Sequence, residues 1–354
     1  MNKPAMHKLP ALAARLLYSL AAVLLSLVLA TIVMLIAGYD PVRAFGAMLN
    51  GAFGSANAIA NTLSKSIPLM FTGFAFAVAN KGGVFNIGGE GQLYLAALAS
   101  AVTALALNGL PRIVVLVASI LAGMLAGGAV GALIGFIKAK MRINEVIVAI
   151  MINYIVSLFT SYMVNGPLKA ENSMTAQSEA INSGYLFSTI IPRSQLTSAL
   201  YLGIGFAVLI FFLFRSTRVG FNIRAVGENA SAAASSGVNI AATTIGVMAF
   251  SGMLAGLAGV TEVLGKYGRF IDGFSPGFGF TGIAVAVLGS NNPFGILLTS
   301  LLFGALEAGS MKMSYVANVS TNMVMVIQGL VILFVATPEI VSQFAKKKGG
   351  KRNG

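Results

Sequence analysis

Asn80–Gln92 reads NKGGVFNIGGEGQ, a run that sets a Lys, a Glu, two Asn and five Gly inside a chain that is 57% hydrophobic and 9% charged. Lipid cannot satisfy the amide groups of irregular backbone, so such a run persists at membrane depth only where protein buries it or where it lines a wet cavity. The run therefore marks a helix break beside a transport path or a loop between two spans.

Working outward, the composition leaves little room for a soluble domain, in which about 25% of residues carry charge. Mean hydropathy is +0.86, and the apolar blocks are about 20 residues long, the length a helix needs to cross about 30 Å of hydrocarbon. Strands of a membrane barrel would alternate polar and apolar residues, and these blocks do not. The expected fold is an all-α polytopic membrane protein. Its first block, Leu16–Gly38, follows a basic head with Lys3, Lys8 and Arg15. That block exceeds a signal-peptide core of about 7 to 15 residues and is read as an uncleaved span. Cysteine is absent, which excludes disulfides and thiolate metal sites, and the single His7 cannot build a metal site alone.

Ten spans are expected, near residues 16–38, 59–79, 86–107, 112–137, 146–165, 196–214, 243–264, 279–290, 294–311 and 319–336, forming a single transmembrane domain over residues 1–354. Threaded from a cytoplasmic N-terminus, the inner segments hold 15 of the 23 Lys and Arg residues, among them Lys81, Lys138, Lys140, Arg142, Arg215, Arg218 and Arg224. The outer segments hold 8, including Arg43, Arg112, Arg193 and Lys266. Cations are retained on the cytoplasmic side, so this orientation is favoured and both termini fall inside, with a basic tail at 340–354. The net charge of +13 is thereby assigned to span flanks rather than to nucleic acid.

Gly279–Ser290 is too short to cross alone and reads as half of a broken helix. Its approach, FIDGFSPGFGFTGIAVAVLGS over Phe270–Ser290, echoes FNIGGEGQLYLAALAS over Phe85–Ser100. Each is a Gly-rich polar opening that runs into an Ala-rich apolar stretch, and the threading sends the two in opposite directions. Such pairs mark inverted repeats in transporters with midplane sites. Gly123, Gly127, Gly131 and Gly135 recur every four residues along one face, and Gly252 and Gly256 repeat the device; both sets read as close-packing surfaces. Asn144 and Glu145, after the basic KAKMRIN loop (Lys138–Asn144), suit the start of the following helix. Residues 166–195 form the longest polar outer segment, with Glu171, Asn172, Ser173, Thr175, Gln177 and Ser178, and offer a landing surface to an extracytoplasmic partner.

From 215 to 242 the chain is polar and Ala-rich, reading RSTRVGFNIRAVGENASAAASSGVN over Arg215–Asn239. Alanine favours helix, and a carboxylate at Glu228 favours a helix start, which predicts a short surface helix over Glu228–Ser236 ended near Gly237. Such a segment is too polar to span and too short to fold alone. The stretch RAVGENASAAASSGVN resembles the cytoplasmic coupling loop of ABC importer permeases. NKGGVFNIGGEGQ, together with NEVIVAIMINYI (Asn144–Ile155), is similar to the nucleoside branch, dependent on basic membrane lipoproteins, of the ribose and branched-chain amino acid permease group. The resemblance runs from the second span to the end.

That resemblance implies a permease subunit of the bacterial cytoplasmic membrane that forms half of a translocation path, with nucleosides as the expected solute and a simple sugar or other small polar solute as the alternative. It implies a second, homologous or identical permease chain, a cytosolic ATPase carrying ATP and Mg, and an extracytoplasmic substrate-binding lipoprotein. ATPase coupling falls on Gly227, Glu228, Asn229, Ala232, Ala233, Ala234 and Gly237. Asn86, Glu90 and Gln92 become candidates to line the solute path. No cofactor is expected in this chain, which lacks the G-x-x-x-x-G-K-[ST] phosphate loop. Glu90 is the costliest of these groups near hydrocarbon. Its natural roles are a brace, paired with Lys81 or with backbone amides at a helix opening, or direct solute contact.

Two other classes fit less well. An ion-coupled transporter would relay protons through acids such as Glu90, Glu262 and Glu307, and no span shows in sequence the paired acids or acid with basic partner that a relay uses. A membrane enzyme would need a cluster of His, Cys or Asp, and the chain has one His, no Cys and only Asp40 and Asp272.

Overall fold

A computed structural model describes residues 25–171 and 173–336. The basic head with His7, the first part of the 16–38 span, Asn172 and the basic tail at 340–354 lie outside the described residues. Among the described residues there is no β-strand, only isolated bridges pairing Gln177 with Ile271 and Thr189 with Thr197. The helices are α1 (Leu25–Ile36), α2 (Pro41–Phe53), α3 (Ala56–Lys81), α4 (Gly89–Ala106), α5 (Arg112–Phe136), α6 (Glu145–Asn165), α7 (Ala199–Ser216), α8 (Arg218–Glu228), α9 (Ala230–Ser235), α10 (Ile240–Glu262), α11 (Phe278–Leu288), α12 (Pro293–Ala317) and α13 (Thr321–Ala336). Six stretches are long and apolar enough to cross a membrane: Ala56–Lys81, Arg112–Met141, Glu145–Asn165, Ala199–Ser216, Ile240–Tyr267 and Pro293–Ala317. Two of these end in π turns, Ile137–Met141 and Val263–Tyr267. The described parts of the expected spans are largely helical, and six of these helices have the length and apolarity to cross a membrane; α11, at 11 residues, does not.

The chain divides into two compact units. One comprises the residues up to Ala58 together with those from Leu306 onward. Its described core joins Ala30, Met34, Ala44, Met48, Met313, Val319, Val324 and Ile327. Here the structure shows a helix that the sequence reading, which placed Arg43 in an outer segment, had not foreseen. Asp40 instead caps a helix, accepting bonds from Val42 N at 2.9 Å and Arg43 N at 3.2 Å, with Pro41 pre-set for the first turn. α2 then lies so close to α12 that a Cβ on Gly51 would sit 3.1 Å from Gly309 Cα.

The other unit, Ile59–Ala305, is organised around α5 and α10. A Cβ on Gly127 would lie 2.5 Å from the Gly252 carbonyl oxygen and 3.0 Å from Gly256 Cα. One on Gly135 would lie 3.0 Å from Ile245 Cα. The glycine stripes therefore bring the two backbones into contact, which gains dispersion and lets interhelical polar groups meet where no hydrophobic effect is available. α4 packs into the same pair, with Ala96 Cβ 3.0 Å from where a Cβ on Gly256 would stand.

Residues 166–198 are not a loose connection. Their backbone is sewn to the stretch after α10 by bonds from Ser178 N to Phe270 O (2.9 Å), Ile181 N to Gly268 O (2.8 Å), Asp272 N to Ala176 O (2.9 Å) and Phe187 N to Leu264 O (2.9 Å). Arg112, at the start of α5, donates to Leu186 O at 2.9 Å and to Ser188 Oγ at 2.8 Å.

Candidate functional site

The site grows out of the way α3 ends. Val84 N bonds Ala79 O and Gly83 N bonds Asn80 O, the double closure of a Schellman cap, and Gly83 takes the left-handed conformation (φ +71°) that this cap needs. Backbone then runs without helix to Gly88. Asn86 Oδ1 turns that stretch by accepting from Gly88 N at 3.0 Å. The rest of the Asn86 amide forms a reciprocal pair with Gln92, Nδ2 to Oε1 at 2.8 Å and Gln92 Nε2 to Oδ1 at 3.0 Å. Asn86 also donates to Ser251 Oγ on α10 at 2.6 Å, and Ser251 passes a bond to Ala75 O on α3. All three side chains are buried. The polar ends of Asn86 and Gln92 thus bond one another and their scaffold in this conformation.

Glu90 stands differently. It lies in the first turn of α4, and its Oε2 accepts from Gly279 N, in the first turn of α11, at 2.7 Å. The two Gly-rich openings that echo one another in sequence therefore abut at their helix N-termini. Ser275 Oγ accepts from Gly277 N and Phe278 N at 3.2 and 3.1 Å, capping α11 from outside. The approach depends on Gly279, since a Cβ there would come 2.8 Å from Glu90 Cα. A carboxylate shared by two helix N-termini is stabilised by both dipoles. Of the two brace partners open to Glu90, the backbone amide is the one it takes; Lys81 instead lies over the Phe214 ring, 5.5 Å from its centroid.

Sequence reasoning missed the clamp on this opening. Asn153 of α6 accepts from Gly91 N at 2.9 Å and donates to Ile87 O at 3.0 Å, holding both sides of the break. Glu145 adds a second tie from α6 by accepting from Phe85 N at 3.3 Å while paired with Lys138, and Asn144 caps the helix through Val146 N at 2.8 Å. Also missed was a cluster of rings, Tyr94 with Phe274 (4.9 Å between centroids), Phe270 (6.4 Å) and, through Phe274, Tyr267 (6.0 Å). Tyr94 Oη accepts from Ser275 N at 3.3 Å, so the rings adjoin the α11 opening.

The polar stretch 215–242, read from sequence as a coupling loop, holds one helix more than expected. Thr217 caps α8 by accepting from Gly220 N at 3.0 Å, and Glu228 closes α8 rather than starting the next helix, which corrects the expected Glu228–Ser236 boundary. Asn229 makes the corner and caps α9 through Ala232 N at 3.0 Å. The stronger cap wins because an amide side chain can reach the N3 amide directly, whereas a carboxylate before the cap acts only through the dipole. Gly237 (φ +81°) ends α9 with a second Schellman closure, Val238 N to Ala233 O and Gly237 N to Ala234 O. Glu228, Asn229, Ala232, Ala234 and Gly237 are exposed, while Ala233 is buried. Gly227 faces inward: a Cβ on it would lie 2.9 Å from Gly83 N and closer still to Lys81 O.

Glu262, buried in α10, has a basic partner in the same span, Lys266 Nζ at 3.1 Å. Glu262 is therefore one half of an ion pair, a charge pattern that the sequence reading had failed to find in any span.

A mostly helical chain with six helices long and apolar enough to cross a membrane is that of an integral membrane protein. The chain belongs to the family described as branched-chain amino acid transport system / permease component, whose profile matches residues 58–336. It is similar to the guanosine ABC transporter permease protein NupP of Bacillus subtilis, 34% identical over 94% of this chain and 97% of that one. The nucleoside ABC transporter permease protein NupB of Lactococcus lactis is 33% identical over 95% and 98%. The glucose ABC transporter permease protein TsgB13 of Haloferax volcanii is 30% identical over 91% and 87%. No solved structure gives a significant match. The protein is thus an ABC transporter permease, a multi-pass component of the cytoplasmic membrane.

Proposed function

We propose that this chain is the permease subunit of an ATP-driven nucleoside importer and that it forms half of the translocation path. The observation that carries the reading is the junction of the α4 and α11 openings at Glu90 and Gly279, flanked by Tyr94, Phe270 and Phe274. Helix N-termini and aromatic faces supply what a nucleoside offers to bind, hydroxyl and carbonyl acceptors on one side and a flat base on the other. Two relatives named for guanosine and nucleoside transport support the solute class. The glucose permease among the relatives supports the alternative of a simple sugar, which would use the helix openings without the rings.

In this reading the chain has ten spans and both termini in the cytoplasm, and α4 and α11 belong to inverted repeats. It pairs with a second permease, identical or homologous, with a cytosolic ATPase that binds ATP and Mg, and with an extracytoplasmic binding lipoprotein that lands near residues 166–195. Chemistry at the γ-phosphate belongs to the ATPase, and this chain supplies no covalent step. Closure of the ATPases would move α8 and α9, with Glu228, Asn229, Ala232, Ala234 and Gly237 as the docking face, and access would alternate between the two sides. Asn86 and Gln92 hold the opening of α4 in shape, and Glu90 sets the spacing between α4 and α11.

The test is uptake by liposomes carrying the chain with its companion subunits. Radiolabelled guanosine should enter only with ATP and the ATPase present, and unlabelled glucose should not compete. Uptake without the ATPase would refute the ATP-driven reading, and competition by glucose alone would shift the solute to sugars.

A further inference from the structure

A second feature lies apart from the α4 and α11 junction. The end of α3, the end of α7, α8 and the turn before α12 enclose a pocket of about 280 Å³ lined by Lys81, Arg215 and Arg224, with Phe211, Phe214 and Pro293 as its apolar wall. Among the described residues none of the three cations pairs with a carboxylate. Two of them rest on ring faces instead, Lys81 Nζ 5.5 Å from the Phe214 centroid and Arg215 Cζ 5.7 Å from that of Phe211. Like charges gathered in one pocket repel, and rings offset that only weakly. The turn at Ser290–Asn292 contributes a further signal. Asn291 is held in the left-handed conformation (φ 52°), and its side-chain Oδ1 is buried without a hydrogen-bond partner. A half-turn of that amide presents its Nδ2 donor in place of the oxygen.

We propose that this pocket binds the phosphate of an anionic phospholipid from the cytoplasmic leaflet. Three cations and an amide donor suit a phosphodiester, with the guanidinium groups able to grip two oxygens each. A volume of about 280 Å³ gives room for a phosphate and its glycerol. The chains have their own place: Phe212 of α7 and Phe294 of α12 are exposed and pack against Phe211 of the pocket wall, at 5.7 and 5.3 Å between ring centroids. A polar floor that opens onto an apolar exposed face is the profile of an interfacial lipid site, and basic pockets between spans on the cytoplasmic side take such headgroups. A carboxylate from a docked protein would meet the cations but would leave that apolar face without an occupant.

The probe is phosphatidylglycerol against phosphatidylcholine, with the full-length chain purified in detergent and read by native mass spectrometry. The chain should retain phosphatidylglycerol in preference to phosphatidylcholine. The R215Q/R224Q pair should weaken that retention by about 30-fold, two surface cations' worth of attraction, and R215K/R224K should restore most of it. Equal retention of both lipids by the unaltered chain would overturn the proposal, and that comparison needs no variant to fold. Inorganic phosphate displacing the lipid at millimolar concentration and protecting the chain equally well would assign the pocket to a free anion and overturn it too. So would an R215Q/R224Q chain that keeps its phosphatidylglycerol but no longer holds the ATPase, since the cations would then serve a protein contact.

Discussion

Removing the Asn153 side chain should open the break between α3 and α4. Its amide makes two bonds, accepting from Gly91 N at 2.9 Å and donating to Ile87 O at 3.0 Å. A neutral hydrogen bond contributes about 0.5 to 1.5 kcal/mol, and a backbone group left unpaired away from water costs about 1 to 3 kcal/mol. Asn153 is only half-buried, so water relieves part of that cost, and Asn153→Ala should lose about 2 to 4 kcal/mol locally. Asn153→Asp keeps the acceptor for Gly91 N and loses the donor to Ile87 O, so it should fall near half that value. Hydrogen exchange of the amides at Gly88–Gln92, followed in detergent or nanodiscs, should quicken by about 30- to 1000-fold in Asn153→Ala. A cycle with Gly91→Ala sharpens the test, because a Cβ on Gly91 would lie 2.8 Å from Asn153 Oδ1 and 3.0 Å from its Cα. Gly91→Ala should therefore cost less in the Asn153→Ala background than alone. Unchanged exchange at Gly88–Gln92 in Asn153→Ala, or strict additivity in the cycle, would refute the clamp.

Glu90→Gln preserves an acceptor for Gly279 N but removes the charge that two helix N-termini favour, and should destabilise by about 1 kcal/mol in equilibrium unfolding with nucleoside KM unchanged. A stable Glu90→Gln chain with altered solute preference would place the carboxylate on the solute instead. Gly127→Ala drives a Cβ against the Gly252 carbonyl at 2.5 Å, where no rotamer can yield, and should cost about 1 to 3 kcal/mol in the same assay. Gly205→Ala, which meets nothing within 4 Å, should be neutral or stabilising by up to about 1 kcal/mol. Charged bulk at Ala232 and Ala234, both exposed, should leave folding intact and abolish solute-stimulated ATPase activity in the assembled transporter; normal stimulation would remove that face from the coupling role.

What was legible in the sequence was local. Apolar blocks of span length and glycines every fourth residue are periodic signals carried by neighbouring residues, so the apolar helices and the close-packing faces could be read directly, though not that α5 and α10 meet each other. The break at Asn80–Gln92 was also legible, since its polarity stands against the blocks around it. Asn153 was not, because a single amide in an apolar helix gives no clue to partners more than sixty residues away at Ile87 and Gly91. The rings were hidden for the same reason, as Tyr94 and Phe274 meet only once α4 and the approach to α11 are folded together. α2 escaped because a capped helix of 13 residues resembles a polar connection when only span length is sought. In α8 and α9 the Ala-rich composition announced helix, but Asn229 and Glu228 compete for the boundary, and only the cap geometry decides between them.

The two segments that the sequence offered as separate functional elements turn out to share one contact. Gly227, near the end of α8, has its Cα against the turn that closes α3, where even a methyl group would meet Lys81 O and Gly83 N. Backbone touching backbone leaves no side chain to absorb a displacement, so a shift of α8 along that line must move the Lys81–Gly83 turn with it. That turn is the entrance to the break, and the break is fastened to α6 through Asn153 and Glu145 and to α11 through Glu90. Motion entering at α8 therefore has a short, stiff route to the junction of the two half-helix openings. Its stiffness depends on glycine at 83, 91, 227 and 279, four positions where the absence of a Cβ allows the contact and also prevents it from slackening.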